Sequence, residues 1–272
     1  MNRSIARIAA ILDREWADIR RNRALVFSMI VPPLILLCFP FIFAVADPRV
    51  GPPQEATPQV LETLAKALGL PLSALDAFQP DELVWILVFR QFLTFFLLIP
   101  VISALPIATH SVIGEKQNGS LEPLLATPIA TWELLVGKCL TAAIPAVSMT
   151  WGVFLVYGAG VRWRLGAEAC ALVLTPAAWA AQLLLVPLIG TLGLGLALLA
   201  SARSADPRTA QQIGVLAVLP MVGVMTAQMK GFFQWGVPGV FGAAAALALG
   251  DAVLLYFAVR LFQRETILTG WK

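Results

Sequence analysis

Long apolar runs separated by short charged connections organise this chain. The first 23 residues differ from the rest. There Ile5, Ile8, Leu12, Trp16 and Ile19 recur at helical three- and four-residue spacing, while Arg3, Arg7, Arg14 and Arg21 largely avoid that stripe. The pattern predicts an amphipathic helix lying in a membrane surface with its apolar face in the acyl boundary. A secretory signal peptide is the competing reading, but the charged stretch is long for one and no small-residue cleavage site follows the apolar run. Six apolar runs come next, at about 24–46, 83–110, 132–157, 171–200, 211–229 and 238–261. Each approaches or exceeds the roughly 20 helical residues that cross a bilayer core. Pro32 and Pro33 fall inside the first, where a lipid-embedded helix tolerates them if neighbours satisfy the freed backbone groups. The expectation is an all-α integral membrane protein: one domain over residues 1–272, with six transmembrane helices behind an interfacial helix.

Composition strengthens that picture. Hydrophobic residues make up 59% of the 272, charged residues only 13%, and the mean hydropathy is +0.82. A soluble domain carries roughly 25% charged residues and needs them to cover its surface. The placement of charge matters more than the net +3. With six spans and the N-terminus inside, the cytoplasmic side holds Arg3, Arg7, Arg14, Arg20, Arg21, Arg23, Lys116, Lys138, Arg203, Arg208, Arg260, Arg264 and Lys272. The outer side holds only Arg49, Lys66, Arg162, Arg164 and Lys230. This bias predicts cytoplasmic termini. Trp85, Trp163 and Trp235 near outer boundaries, and Trp16, Trp132 and Trp271 near inner ones, agree with it. Cys38, Cys139 and Cys170 have no metal-ligand spacing, and the single His110 stands without a ligand cluster. No metal, no catalytic site and no nucleic-acid partner are expected. The longest outer loop, 47–82, contains LETLAKALGL, which reads as a short surface helix.

The inner connection GEKQNGSLEPLLATPIATWELLVGK, residues 114–138, is the most informative segment. Gly114 and Gly119 punctuate the end of the second span. Ser120 can cap a new helix, with Glu122 in its first turn where a carboxylate suits the helix dipole. Pro123 is tolerated there because first-turn amides lack intrahelical partners. Leu121, Leu124 and Leu125 share a face, Thr127-Pro128 ends the helix, and Thr131 can cap the third span. On these residues alone, a loop helix resting on the membrane and a docking element fit equally.

The order of residues does more. Gly114-Glu115-Lys116, Gly119-Ser120-Leu121-Glu122, Leu124-Leu125-Ala126-Thr127-Pro128-Ile129, Trp132-Glu133-Leu134 and Gly137-Lys138 together resemble the signature of the type-2 ABC-transporter permease family. The N-terminal helix, the six spans and the closing Arg260-Leu-Phe-Gln-Arg264-Glu265 resemble it too. Ser120 stands where threonine is more usual, and Pro123 is unusual for that position. The resemblance implies that residues 114–128 form a cytoplasmic coupling helix between spans 2 and 3, on which a separate ATP-binding subunit docks. It further implies a complex of two ATPase chains and two permease chains, the second permease identical or related, in the plasma (inner) membrane. ATP and Mg would be bound by the ATPase. This chain lacks GxxxxGK[ST]: Trp132 occupies the first glycine position before Gly137-Lys138, and Cys139 follows.

Two charges fall within apolar runs, Arg90 in VWILVFRQFL and Asp251 in LALGDAVLLY. A mid-bilayer charge costs at least about 2.5–3.5 kcal/mol and usually faces protein or water. Arg90 is near enough to the outer end to snorkel. Asp251 lies deeper; the functional reading puts one or both on a translocation path or a subunit interface, and pairing between the two is a further option. Met221–Phe241, with Gly223, Gly231, Gly236, Pro238 and Gly239, fits either a re-entrant turn or a simple outer loop. A secondary transporter is the alternative reading, but it predicts inverted repeats and more intramembrane ionisable groups. An intramembrane hydrolase would need paired carboxylates, an activated nucleophile or metal ligands in the spans.

Overall fold

A computed structural model describes residues 3–46, 58–69, 71, 73, 77–117, 130–203, 209, 212–213, 215–216, 218–219, 222–223, 226 and 236–261. All regular structure among them is helical: α1 Arg3–Arg21, α2 Arg23–Ala46, α3 Pro58–Leu68, α4 Pro80–Phe95, α5 Ile99–Gln117, α6 Thr131–Val173, α7 Pro176–Arg203 and α8 Val237–Leu261. Five helical stretches are long and apolar enough to cross a membrane: Arg23–Val45, Asp81–Ser111, Trp132–Val173, Pro176–Ala197 and Val237–Ala258. Of the fifth expected span, 211–229, only residues 212–213, 215–216, 218–219, 222–223 and 226 are described.

Local chemistry accounts for the breaks. Asn22 ends α1 and caps α2, its side-chain oxygen accepting the Leu25 amide at 3.3 Å. Gly69, at φ 70, closes α3 in the left-handed conformation that favours glycine. Pro80 opens α4, and Glu82 reaches back to the Gln79 amide at 3.1 Å. Between α4 and α5 the chain tightens into a single 3-10 turn, Phe96–Leu98. Pro100 has no N–H to return to the Phe96 carbonyl, and the Ile99 N–H bonds it instead. The second expected span, 83–110, is therefore two helices sharing one path.

The third span runs well past its expected end at 157. α6 continues to Gly166, which sits at φ 84, and the chain reverses there. The Cys170 thiol donates to the Gly158 carbonyl at 3.8 Å, although a straight helix would set those residues about 18 Å apart. Residues 167–173 thus fold back along the end of α6, and α7 starts at Pro176 instead of 171.

Asp81–Ser111 is the central stretch, with 72% of its most apolar part buried, against 11% for Arg23–Val45 and for Val237–Ala258 at the periphery. Towards the α6 hairpin, Phe41, Phe89, Phe96 and Tyr157 form one aromatic cluster, with ring centroids 4.8 Å apart for Phe96 and Tyr157. The Tyr157 hydroxyl donates to the Phe89 carbonyl at 2.7 Å. Nearer the other end, Ala104, Ala108, Ala142, Ala143 and Ala146 let α5 and α6 approach closely. At Gly193 of α7 an added Cβ would stand 3.1 Å from Val101 of α5, so that contact depends on the absence of a side chain.

Candidate coupling site at one end of the bundle

The segment singled out in the sequence joins α5 to α6. Gly114, Glu115 and Lys116 lie on the last turns of α5. Gly119, Ser120, Leu121, Glu122, Leu124, Leu125, Thr127 and Pro128 lie outside the described residues, as does the short helix expected there. What the structure shows is how the two ends of this segment are held.

The returning end is fastened at Glu133. Its buried carboxylate accepts the Ala130 amide at 3.0 Å and the Arg7 guanidinium at 3.2 Å. Ala130 is the extended residue before α6, and Thr131 is already its first helical position. The expected threonine cap is thus replaced by a carboxylate reaching back from the third helical residue, the acidic half of a capping box.

One turn on, Lys138 joins three helices. Its ammonium donates to Glu15 Oε1 of α1 at 3.0 Å and to Ser111 Oγ of α5 at 2.7 Å. Lys138 is 4% exposed and Glu15 9%. Removing two charges from water is costly, and direct hydrogen bonds of this kind are what make such a pair tolerable. Beside it, the Trp16 indole donates to the Thr141 carbonyl at 3.2 Å. Gly137 packs so closely on Ile11 that an added Cβ would lie 3.0 Å from it.

These contacts advance together, from Arg7–Glu133 through Ile11–Gly137 to Trp16–Thr141. α1 therefore runs alongside the opening turns of α6, in the same direction, for about 12–14 Å. Its packed face contains Arg7, Ile11, Glu15, Trp16 and Ile19, offset from the expected stripe. Ile5, at the outer edge of that stripe, remains 57% exposed. Arg7, Glu15 and Ser111 were not among the candidate residues. The available signal was the four-residue spacing of Arg7, Ile11, Glu15 and Ile19, together with the lysine of the Gly137-Lys138 pair, which has no phosphate loop to serve.

The two intramembrane charges are elsewhere and apart. Arg90 donates to the Leu68 carbonyl at 2.7 Å, holding the C-terminal end of α3 against α4. A cation suits that position because terminal helix carbonyls lack partners and carry partial negative charge. Asp251 accepts a hydrogen bond from the Thr191 hydroxyl at 2.6 Å, across the α7–α8 contact, and its second oxygen is buried with no partner among the described residues. Of the connection before α8, residues 227–235 lie outside the described set. Gly236 precedes the helix, and Pro238 and Gly239 are already in its first turn.

The profile of a family described as ABC-2 family transporter protein matches residues 9–234. The chain belongs to the ABC-2 transporter family. The match runs from α1 through the whole 114–138 segment and stops just before α8. No curated protein matches the chain. As a member of this family the permease is an integral membrane component of an ABC transporter and not its catalytic subunit. Glu15, Ser111, Glu133 and Lys138 lie within the matched region, and Arg7 lies just before it.

Proposed function

We propose that this permease forms the translocation path of an ATP-driven exporter and takes its driving motion through residues 114–128. The nucleotide-binding subunit docks on that segment from the cytoplasm, so α1 and both termini face the cytoplasmic side of the plasma membrane. Two ATPase chains, carrying ATP and Mg, and a second permease complete the complex.

The observation that carries this reading is Lys138. Its ammonium binds Glu15 of α1 and Ser111 of α5 from its own place on α6. The helix entering the segment, the helix leaving it and the N-terminal helix are therefore one mechanical unit. A push on residues 118–129 moves all three together instead of bending a loose loop. Gly114, Glu115 and Lys116 lie in the last turns of the entering helix, where such a push would first be felt.

The test is co-purification. The tagged permease is expressed with its candidate ABC-type ATPase, as wild type and as a Glu122→Lys, Leu125→Asp double variant. The wild type should retain the ATPase, and the variant should lose it while inserting in the membrane to the same level. If the variant retains the ATPase equally well, residues 114–128 are not the docking element.

A further inference from the structure

Away from α1, a cavity opens between α4 and the start of α7. Arg90, Thr94, Thr175, Ala178, Ala181 and Gln182 are on its wall. Four features of that wall point to one kind of occupant.

Arg90 is the charged group on the wall. One of its nitrogens serves the Leu68 carbonyl, and among the described residues no carboxylate pairs with it. A half-buried guanidinium without a counter-charge favours an anionic oxygen, which it binds through charge-assisted hydrogen bonds. The same cavity receives the N-terminus of α7, whose partial positive charge acts in the same sense. Thr175 caps that helix by accepting the Ala178 amide at 3.2 Å, which leaves its own hydroxyl proton for donation.

Gln182 adds an opposite requirement. It is 2% exposed, and its amide nitrogen is committed to the Leu93 carbonyl at 2.9 Å. Its buried oxygen has no donor among the described residues. An occupant must therefore supply a hydroxyl or similar donor next to its anionic oxygens. Depth supplies the last constraint. Trp179, one position beyond Ala178, is 40% exposed. Exposed indoles mark the headgroup region of a bilayer.

We propose that this cavity binds the headgroup of an anionic, hydroxyl-bearing amphiphile, with phosphate oxygens at Arg90 and Thr175 and a hydroxyl at Gln182. The site shares no residue with the Glu15–Ser111–Lys138 cluster and does not rest on the ATPase-coupling reading.

The experiment is a titration of the full-length permease in neutral detergent, read by tryptophan fluorescence. Short-chain phosphatidylglycerol is compared with short-chain phosphatidylcholine, which has no hydroxyl and no net charge, and with soluble glycerol phosphate. Saturable binding of phosphatidylglycerol, at least tenfold tighter than phosphatidylcholine, is expected. Arg90→Gln should weaken it at least tenfold. Ala178→Leu, which narrows the cavity without touching Arg90 or α3, should weaken it comparably and decides the matter if the arginine variant does not fold. Equal binding of the two lipids, or wild-type affinity in Ala178→Leu, overturns the proposal. Competition by glycerol phosphate at the affinity of the lipid overturns the lipid assignment and leaves a soluble phosphate as the ligand.

Discussion

Replacing Lys138 by methionine tests the three-helix junction directly. The substitution keeps most of the side-chain volume and removes the ammonium. Glu15, 9% exposed, then keeps a carboxylate with no cation opposite it, and Ser111 loses its 2.7 Å partner. Breaking a buried pair by removing one member typically costs about 3–5 kcal/mol, because an uncompensated charge remains. The lower end applies here, since the Glu15 side chain keeps 12% of its surface in contact with solvent. For a chain of this size, about 3 kcal/mol corresponds to a fall of roughly 6–12 °C in Tm. Replacing both members, as Lys138→Met with Glu15→Leu, removes the stranded charge and should recover most of the loss. The assay is thermal unfolding of detergent-purified protein for wild type, both single variants and the double variant. Single variants that unfold at the wild-type temperature, or a double variant whose loss equals the sum of the singles, would refute the argument that these groups form a coupled buried pair.

Two substitutions test the rest of the architecture by the same unfolding assay. Gly166→Ala places a Cβ on a residue at φ 84 and should cost about 1–2 kcal/mol. Gly152→Ala has nothing within 4 Å of its new Cβ and should instead stabilise α6 by up to about 1 kcal/mol; equal effects at the two positions would contradict the reversal at Gly166. Tyr157→Phe removes only the hydroxyl bonded to the Phe89 carbonyl, so a loss of about 0.5–1.5 kcal/mol is expected, and no loss at all would count against that bond.

The membrane class and most helices were legible because apolar runs of the required length have few other uses. The limits of α6 were not. Residues 158–173 contain Arg162, Arg164 and Glu168, which look like loop composition, yet Ala, Leu and Val keep both arms helical and only Gly166 marks the turn. The 3-10 turn at Phe96–Leu98 was hidden because its residues are as apolar as those around it, and Pro100 was the single local sign. Arg90 illustrates a tertiary effect: its acceptor is a carbonyl 22 positions earlier, at the end of a helix outside the span. The 114–138 segment was readable as a motif, and Glu133 and Lys138 belonged to it. Their partners Arg7, Glu15 and Ser111 come from helices whose proximity no local pattern reveals. On α1 the apolar stripe was an expected lipid-facing side and carried no sign of the face packed on α6, where Arg7 and Glu15 are charged.

The most direct test of the central claim is ATP hydrolysis in proteoliposomes, comparing the candidate ATPase alone, with the wild-type permease, and with the Glu122→Lys, Leu125→Asp variant. The account predicts that the wild-type permease changes the rate of hydrolysis and that the variant restores the rate of the ATPase alone. Hydrolysis that is the same in all three preparations would contradict the claim that this permease is driven through residues 114–128.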